Sequence, residues 1–162
     1  MYFGKQLTLD SSESSYFSSM IEKKQLKYDS AYLKMAFEWA KLSYCKRKQV
    51  GALIVKDRMI ISDGFNGTPT GFDNCCEDEE NVTKWEVLHA EANAILKVAS
   101  SAQSCKEATL YITLSPCIHC SKLIHQAGIK RVVYANAYKD NAGLKFLEKA
   151  GVQLTYLPNE QE

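Results

Sequence analysis

The chain has 162 residues, 46% hydrophobic and 24% charged, with 20 basic side chains against 19 acidic ones and a formal net charge of +1. That length supports one domain, the near-zero charge speaks against a strongly basic nucleic-acid-binding surface, and no apolar run approaches the ~20 residues of a membrane span. Residues 1–19 lack the apolar core of a signal peptide. The expectation is a cytoplasmic chain whose six cysteines are metal ligands or buried thiols, not a disulfide framework.

Residues 1–25 are polar, with a serine-rich patch at 11–15, and read as an N-terminal arm or an expression remnant. From Tyr28 the pattern sharpens. Tyr32, Met35, Ala36, Trp39 and Ala40 recur at helical spacing behind Asp29 as N-cap, which predicts an amphipathic first helix. A basic run, Cys45-Lys46-Arg47-Lys48, leads into the near-continuous apolar stretch Val50–Val55, the pattern of a strand buried on both faces. Lys56-Asp57-Arg58 turns it into a second strand, Met59–Phe65. A glycine-rich loop over 64–71 follows, then an acidic surface excursion from Cys75 to Glu80.

The second half alternates: helix 89–100, strand 108–114, helix 117–127, strand 131–136, helix 142–150 and strand 152–157. Gly128 and Gly151 each follow an alanine and precede a β-branched residue, as helix-ending glycines do. Strands alternating with helices predict parallel neighbours joined by right-handed crossovers. The expected fold class is α/β, a three-layer α/β/α domain over 26–158 around a central mixed five-stranded sheet, with a hairpin of the first two strands at one side. Residues 159–162 form a C-terminal tail.

Two stretches carry chemistry. His89-Ala90-Glu91 sets a carboxylate two residues after a histidine, and Pro116-Cys117-Ile118-His119-Cys120, beginning 27 residues after His89, sets two thiols on one helical turn. His89, Cys117 and Cys120 suit a tetrahedral Zn²⁺ with its fourth position open to water. Predicted helix starts at His89 and Cys117 favour thiolates through their free N–H groups and partial positive charge. Pro116, just before the predicted helix start, sits where a missing N–H costs nothing. Glu91, spared from ligation, can take a proton from water and return it to substrate and leaving group. His119 and His125 read as surface residues, because a fourth protein ligand would close the site. H-x-E followed by P-C-x-x-C is the signature of zinc deaminases.

The sequence resembles the deoxycytidylate (dCMP) deaminase family of the cytidine-deaminase-like zinc superfamily. The matching pieces are Q-V-G-A-L-I-V at 49–55, G-F-N-G-T-P at 64–69, H-A-E-A-N-A-I at 89–95, T-L-S-P-C-I-H-C at 113–120 and Q-A-G-I-K-R-V-V-Y at 126–134. The resemblance implies zinc-dependent deamination of dCMP to dUMP, supplying thymidylate synthesis, with one catalytic ion. It also implies substrate contacts from Asn66, Ala90, Ser115, Pro116 and Tyr138. Lys46, Arg47 and Lys48 are candidates for the 5′-phosphate, which needs cationic donors. A homo-oligomer with dCTP and dTTP as effectors belongs to the same expectation, and neither nucleic acid nor membrane is an expected partner. Cys45 and Cys75 resemble ligands of a second, structural zinc in some phage members. No histidine stands between Cys76 and His89 to complete such a site, so free buried thiols are expected there. Two alternatives stay open: a tRNA adenosine or other cytidine-type deaminase, and a nonenzymatic nucleotide-sensing or competence-associated module. The carboxylate of Glu91 speaks against the second, since a structural zinc does not need it.

Overall fold

The computed structural model describes residues 11–159. The first ten residues of the expected arm and residues 160–162 of the expected tail lie outside the described residues. Gly51–Lys56 forms the first strand, β1, with every position from Gly51 to Val55 buried. A strand clad on both sides needs no polar alternation, and that is what its apolar run announces. Asp57 and Arg58 take positive φ of 50° and 63°, a two-residue turn of the kind that matches strand twist. They return the chain as β2, Met59–Phe65, antiparallel to β1.

Beyond β2 come α2 (Ala90–Ala99), β3 (Thr109–Leu114), α3 (Ile118–Gln126), β4 (Arg131–Asn136), α4 (Ala142–Lys149) and β5 (Gln153–Tyr156). The sheet order is β2-β1-β3-β4-β5, antiparallel from β2 to β3 and parallel from β3 to β5. This is the expected mixed five-stranded sheet with its hairpin at one side. Gly128 and Gly151 take φ of 78° and 76° at the ends of α3 and α4, where the left-handed turn suits a residue without Cβ.

Alternation along β1 and β3 divides the core. Ala52, Ile54, Leu110 and Ile112 face one way with Ala90, Ala94, Ile124 and Leu147 of α2, α3 and α4. Leu53, Val55 and Tyr111 face the other way, against Ala36, Tyr32 and Trp39 of the first helix, α1 (Ser11–Ala40). Three layers result, α1 on one face and three helices on the other.

α1 departs from the expectation in three respects. It is helical from Ser11, the first described residue, so the segment read as an arm is helical over 11–25, and positions 19–27 are exposed. Asp29 is therefore inside the helix and caps nothing. Its carboxylate is buried and accepts two hydrogen bonds from Arg131, at 2.8 and 2.6 Å, and one from the Tyr111 hydroxyl at 2.8 Å. Met35 is exposed, and Leu33 takes the buried position beside Ala36.

The cysteines also differ from the expectation. Cys45 and Cys76 are joined by a disulfide, while Cys75 is an exposed thiol. Cys76, not Cys75, meets Cys45, because the chain between the glycine loop and α2 folds back along the segment before β1. No helix among the described residues is long and apolar enough to cross a membrane.

Candidate metal and catalytic centre

His89 and Cys117 each occupy the N-cap of a helix, with extended ψ of 156° and 168°. Their carbonyls accept the first intrahelical bonds, from Asn93 N–H at 3.0 Å and Ser121 N–H at 2.9 Å. An N-cap side chain ordinarily turns back onto the helix. Neither of these does, which frees both for another partner. Pro116 stands just ahead of the Cys117 cap, two places before the first helical residue Ile118, and is fully buried. The missing N–H still costs nothing there.

α2 and α3 pack side by side and bring the two caps together. His89 Nδ1 lies 3.6 Å from Cys117 Sγ and 3.5 Å from Cys120 Sγ, and all three donor atoms fall within 4.8 Å of one another. Zinc–nitrogen and zinc–sulfur bonds of ~2.1 and ~2.3 Å, set at the tetrahedral angle, place nitrogen and sulfur ~3.6 Å apart. Both nitrogen–sulfur edges of the donor triangle thus have the length of a tetrahedral zinc site, and three protein donors leave a fourth position without a protein ligand. The triangle is the one group of potential metal donors among the described residues. His119 and His125 are exposed, in keeping with their expected surface role.

Glu91 stands in the first turn of α2, 3% exposed and lining the adjoining pocket. Burial pushes its carboxyl up to about 7, against the pull of its own backbone N–H and of His89. At that value the acid and base forms are both accessible at neutral pH, which suits a group that takes and gives the same proton. Cys117 moves the other way, down to about 3, because the Cys120 thiol and His89 hydrogen-bond its thiolate. Cys120, donor of that bond and buried, is pushed up.

The pocket brings together Arg47, Lys48, Asn66, Ala90, Ser115 and Tyr138 with the candidate metal donors His89 and Cys117. Two expected residues are elsewhere. Lys46 is exposed and outside the lining, its backbone N–H donating to Glu77; Pro116 is buried behind Cys117. Asn66 lines the pocket, but its side chain is engaged by the wall: Oδ1 accepts from Val50 N–H at 2.7 Å and Nδ2 donates to the Lys48 carbonyl at 2.8 Å. Ser115 Oγ accepts from the backbone N–H of Tyr138 at 2.7 Å, fixing that loop beside the pocket. Glu77, Thr83 and Lys139 line the same pocket and were not among the expected residues. Lys139 follows the expected Tyr138 directly, which could have drawn attention to it. Glu77 lies in an acidic run whose local pattern signals only a solvated surface.

The profile of the cytidine and deoxycytidylate deaminase zinc-binding region matches residues 26–136. A deoxycytidylate deaminase of Schizosaccharomyces pombe is 38% identical over 82% of this chain and 45% of its own length. That of Enterobacteria phage T4 is 32% identical over 81% of this chain and 90% of its own. The chain thus spans less than half of the yeast relative and nearly all of the phage one. The crystal structure of dCMP deaminase from cyanophage S-TIM5, in complex with dCMP and dUMP, superposes with a TM-score of 0.77 at 46% identity. It covers 78% of this chain and 94% of the phage chain.

Proposed function

We propose that this chain, which belongs to the cytidine and deoxycytidylate deaminase zinc-binding family, hydrolyses dCMP to dUMP and ammonia with one zinc ion, supplying dUMP for thymidylate synthesis. The observation that carries the reading is the His89–Cys117–Cys120 donor triangle, whose His89 and Cys117 line one pocket with buried Glu91. His89, Cys117 and Cys120 would hold the zinc ion, and the chemistry it would supply there is a water whose pKa falls toward ~7, hence hydroxide at neutral pH.

The remaining chemistry falls to the chain. Glu91 takes the proton released from water and delivers it to the ring nitrogen next to the amino-bearing carbon, so that this carbon accepts hydroxide. The same carboxylate then takes the proton of the newly attached hydroxyl and passes it to the amino group, so that the C–N bond breaks, ammonia leaves and the hydroxyl oxygen becomes the carbonyl. Water has then replaced the amine with a carbonyl, and Glu91 is back in its starting form. Ala90 offers backbone at the head of α2, Tyr138 an aromatic face, and Ser115 the hydroxyl that fixes the Tyr138 backbone. Asn66 keeps one N–H and one lone pair for the sugar after binding the pocket wall. Arg47, Lys48 and Lys139 supply cationic donors for the 5′-phosphate.

The proposal extends to a homo-oligomer that responds to dCTP and dTTP. Family resemblance supports it, as do the exposed apolar side chains of Phe72, Val82 and Trp85 around the excursion before α2. The deciding experiment measures ammonia release by zinc-loaded protein from dCMP, CMP, deoxycytidine, dCTP and an adenosine-containing RNA. Preference for dCMP is expected. Best turnover on deoxycytidine or on the RNA would replace dCMP as the substrate, and no release from any of them would turn the reading to a binding module. Light scattering with and without each triphosphate tests assembly, and a monomer indifferent to both would remove that extension.

A further inference from the structure

We propose that Glu77 is a positioning residue for phosphate selectivity: by gripping the backbone of Lys46 and Arg47 it presents Arg47 and Lys48 to the substrate pocket. The inference rests on the nucleotide-monophosphate reading of that pocket.

Glu77 is 7% exposed, although the acidic residues after it, Asp78, Glu79 and Glu80, are all exposed. A buried carboxylate must be met by donors. Its donors are two successive backbone N–H groups, Lys46 at 3.0 Å and Arg47 at 3.1 Å, both reaching Oε1. Successive amides aimed at one oxygen form a concavity that binds anions. Here the chain fills that concavity with its own carboxylate. A phosphate entering the pocket therefore finds these amides taken and is met by side chains instead.

Those side chains stand on a segment clamped at both ends. Asn66 holds the far end through Val50 and Lys48, and Glu77 holds the near end. Arg47 is steadied further by a 3.2 Å bond from Nη1 to Thr83 Oγ1, on the strand-like arm that bridges back to Glu77. The excursion does not depend on Glu77 for its own shape. Asp78 Oδ1 accepts from Glu80 and Val82 N–H, and Cys76 is bonded to Cys45. Removing the Glu77 carboxylate thus frees the backbone under Arg47 and Lys48 while the excursion stays attached.

The test compares steady-state kinetics on dCMP and deoxycytidine for the zinc-loaded wild type, Glu77→Ala and Glu77→Gln. Glu77→Ala is expected to raise KM for dCMP ~10-fold with kcat little altered, so that the dCMP-to-deoxycytidine efficiency ratio falls ~10-fold, the worth of about one charge-assisted contact. Glu77→Gln, whose carbonyl oxygen still accepts from both amides, restores most of the ratio. Should alanine not fold, Glu77→Asp retracts the acceptor by one methylene and lowers the ratio in the same direction. A phosphate-selective wild type whose Glu77→Ala or Glu77→Asp variant loses efficiency equally on both substrates, or on neither, overturns the positioning role alone. So does a glutamine variant no better than alanine. A wild type indifferent to the phosphate overturns the substrate reading and this inference with it.

Discussion

Glu91→Gln separates holding the metal from moving the proton. The amide keeps nearly the volume and polarity of the carboxyl, so the buried start of α2 stays packed, but it can neither take nor give a proton. We expect zinc content near wild type and turnover lower by ~100-fold or more, read by metal analysis and ammonia release. Cys117→Ser and Cys120→Ser should act in the opposite order, losing zinc first. A serine hydroxyl is a poor zinc ligand at neutral pH, so metal content falls, and with it the stabilisation that binding lends the fold. Unchanged zinc occupancy in both serine variants would remove those thiols from the site. The juxtaposition of His89, Cys117 and Cys120, with Glu91 beside them, is legible in the sequence because metal chemistry restricts both residue type and spacing. Asn66 is legible only as a pocket residue. That its amide is engaged by the backbone at 48–50 follows from a fold, since any asparagine in a glycine-rich loop has the same local pattern.

At the scale of elements, Gly64 sets how closely α2 approaches the sheet. A Cβ there would lie 2.3 Å from the Ala90 carbonyl oxygen and 2.7 Å from Ala94 N. Both are helix backbone, and β2 is held by its pairing with β1, so α2 would have to move. Gly64→Ala should therefore cost ~1–3 kcal/mol, seen as a fall in Tm of several degrees. It should also lower kcat, because the first turn of α2 carries Glu91. Gly67→Ala, three residues on, meets nothing within 4 Å and has no positive φ to strain it, so its Tm should stay close to wild type. Equal losses of Tm in the two variants would show that loop entropy, not helix approach, governs this region. β1 and β2 are readable from sequence because a doubly buried strand and a tight hairpin turn leave local marks. The excursion before α2 is not. Its form comes from a Cys45–Cys76 bond across 31 residues and from Glu77 reaching Lys46, and neither partner is implied by the acidic run itself.

Across the whole molecule, the polar tie of greatest sequence separation among the described residues is the one that most misleads a local reading. Asp29 at a helix start looks like a cap, yet its partner Arg131 is 102 residues away on β4. The pair joins the α1 layer to the sheet, with side-chain exposures of 4% for Asp29 and 15% for Arg131. Burial alone would raise the Asp29 carboxyl, but hydrogen bonds from Arg131, Gln25 and Tyr111 outweigh it and hold the group below its ordinary value. A carboxyl whose folded pKa is depressed contributes stability that is fully present above the unfolded value of ~3.9 and is lost as pH falls through the folded one. Asp29→Asn leaves the Arg131 guanidinium buried without its counter-charge. Breaking a buried pair from one side costs ~3–5 kcal/mol, so at pH 7 the variant should melt roughly 10 °C lower. Below about pH 4 the wild type loses the same ionic contribution, and the difference between the two proteins should narrow, whatever acid does to the metal site they share. Thermal melts of both from pH 7 to pH 3 measure that gap. A gap independent of pH would mean that Asp29 acts by shape and hydrogen bonding alone, with its charge contributing nothing to holding α1 on the sheet.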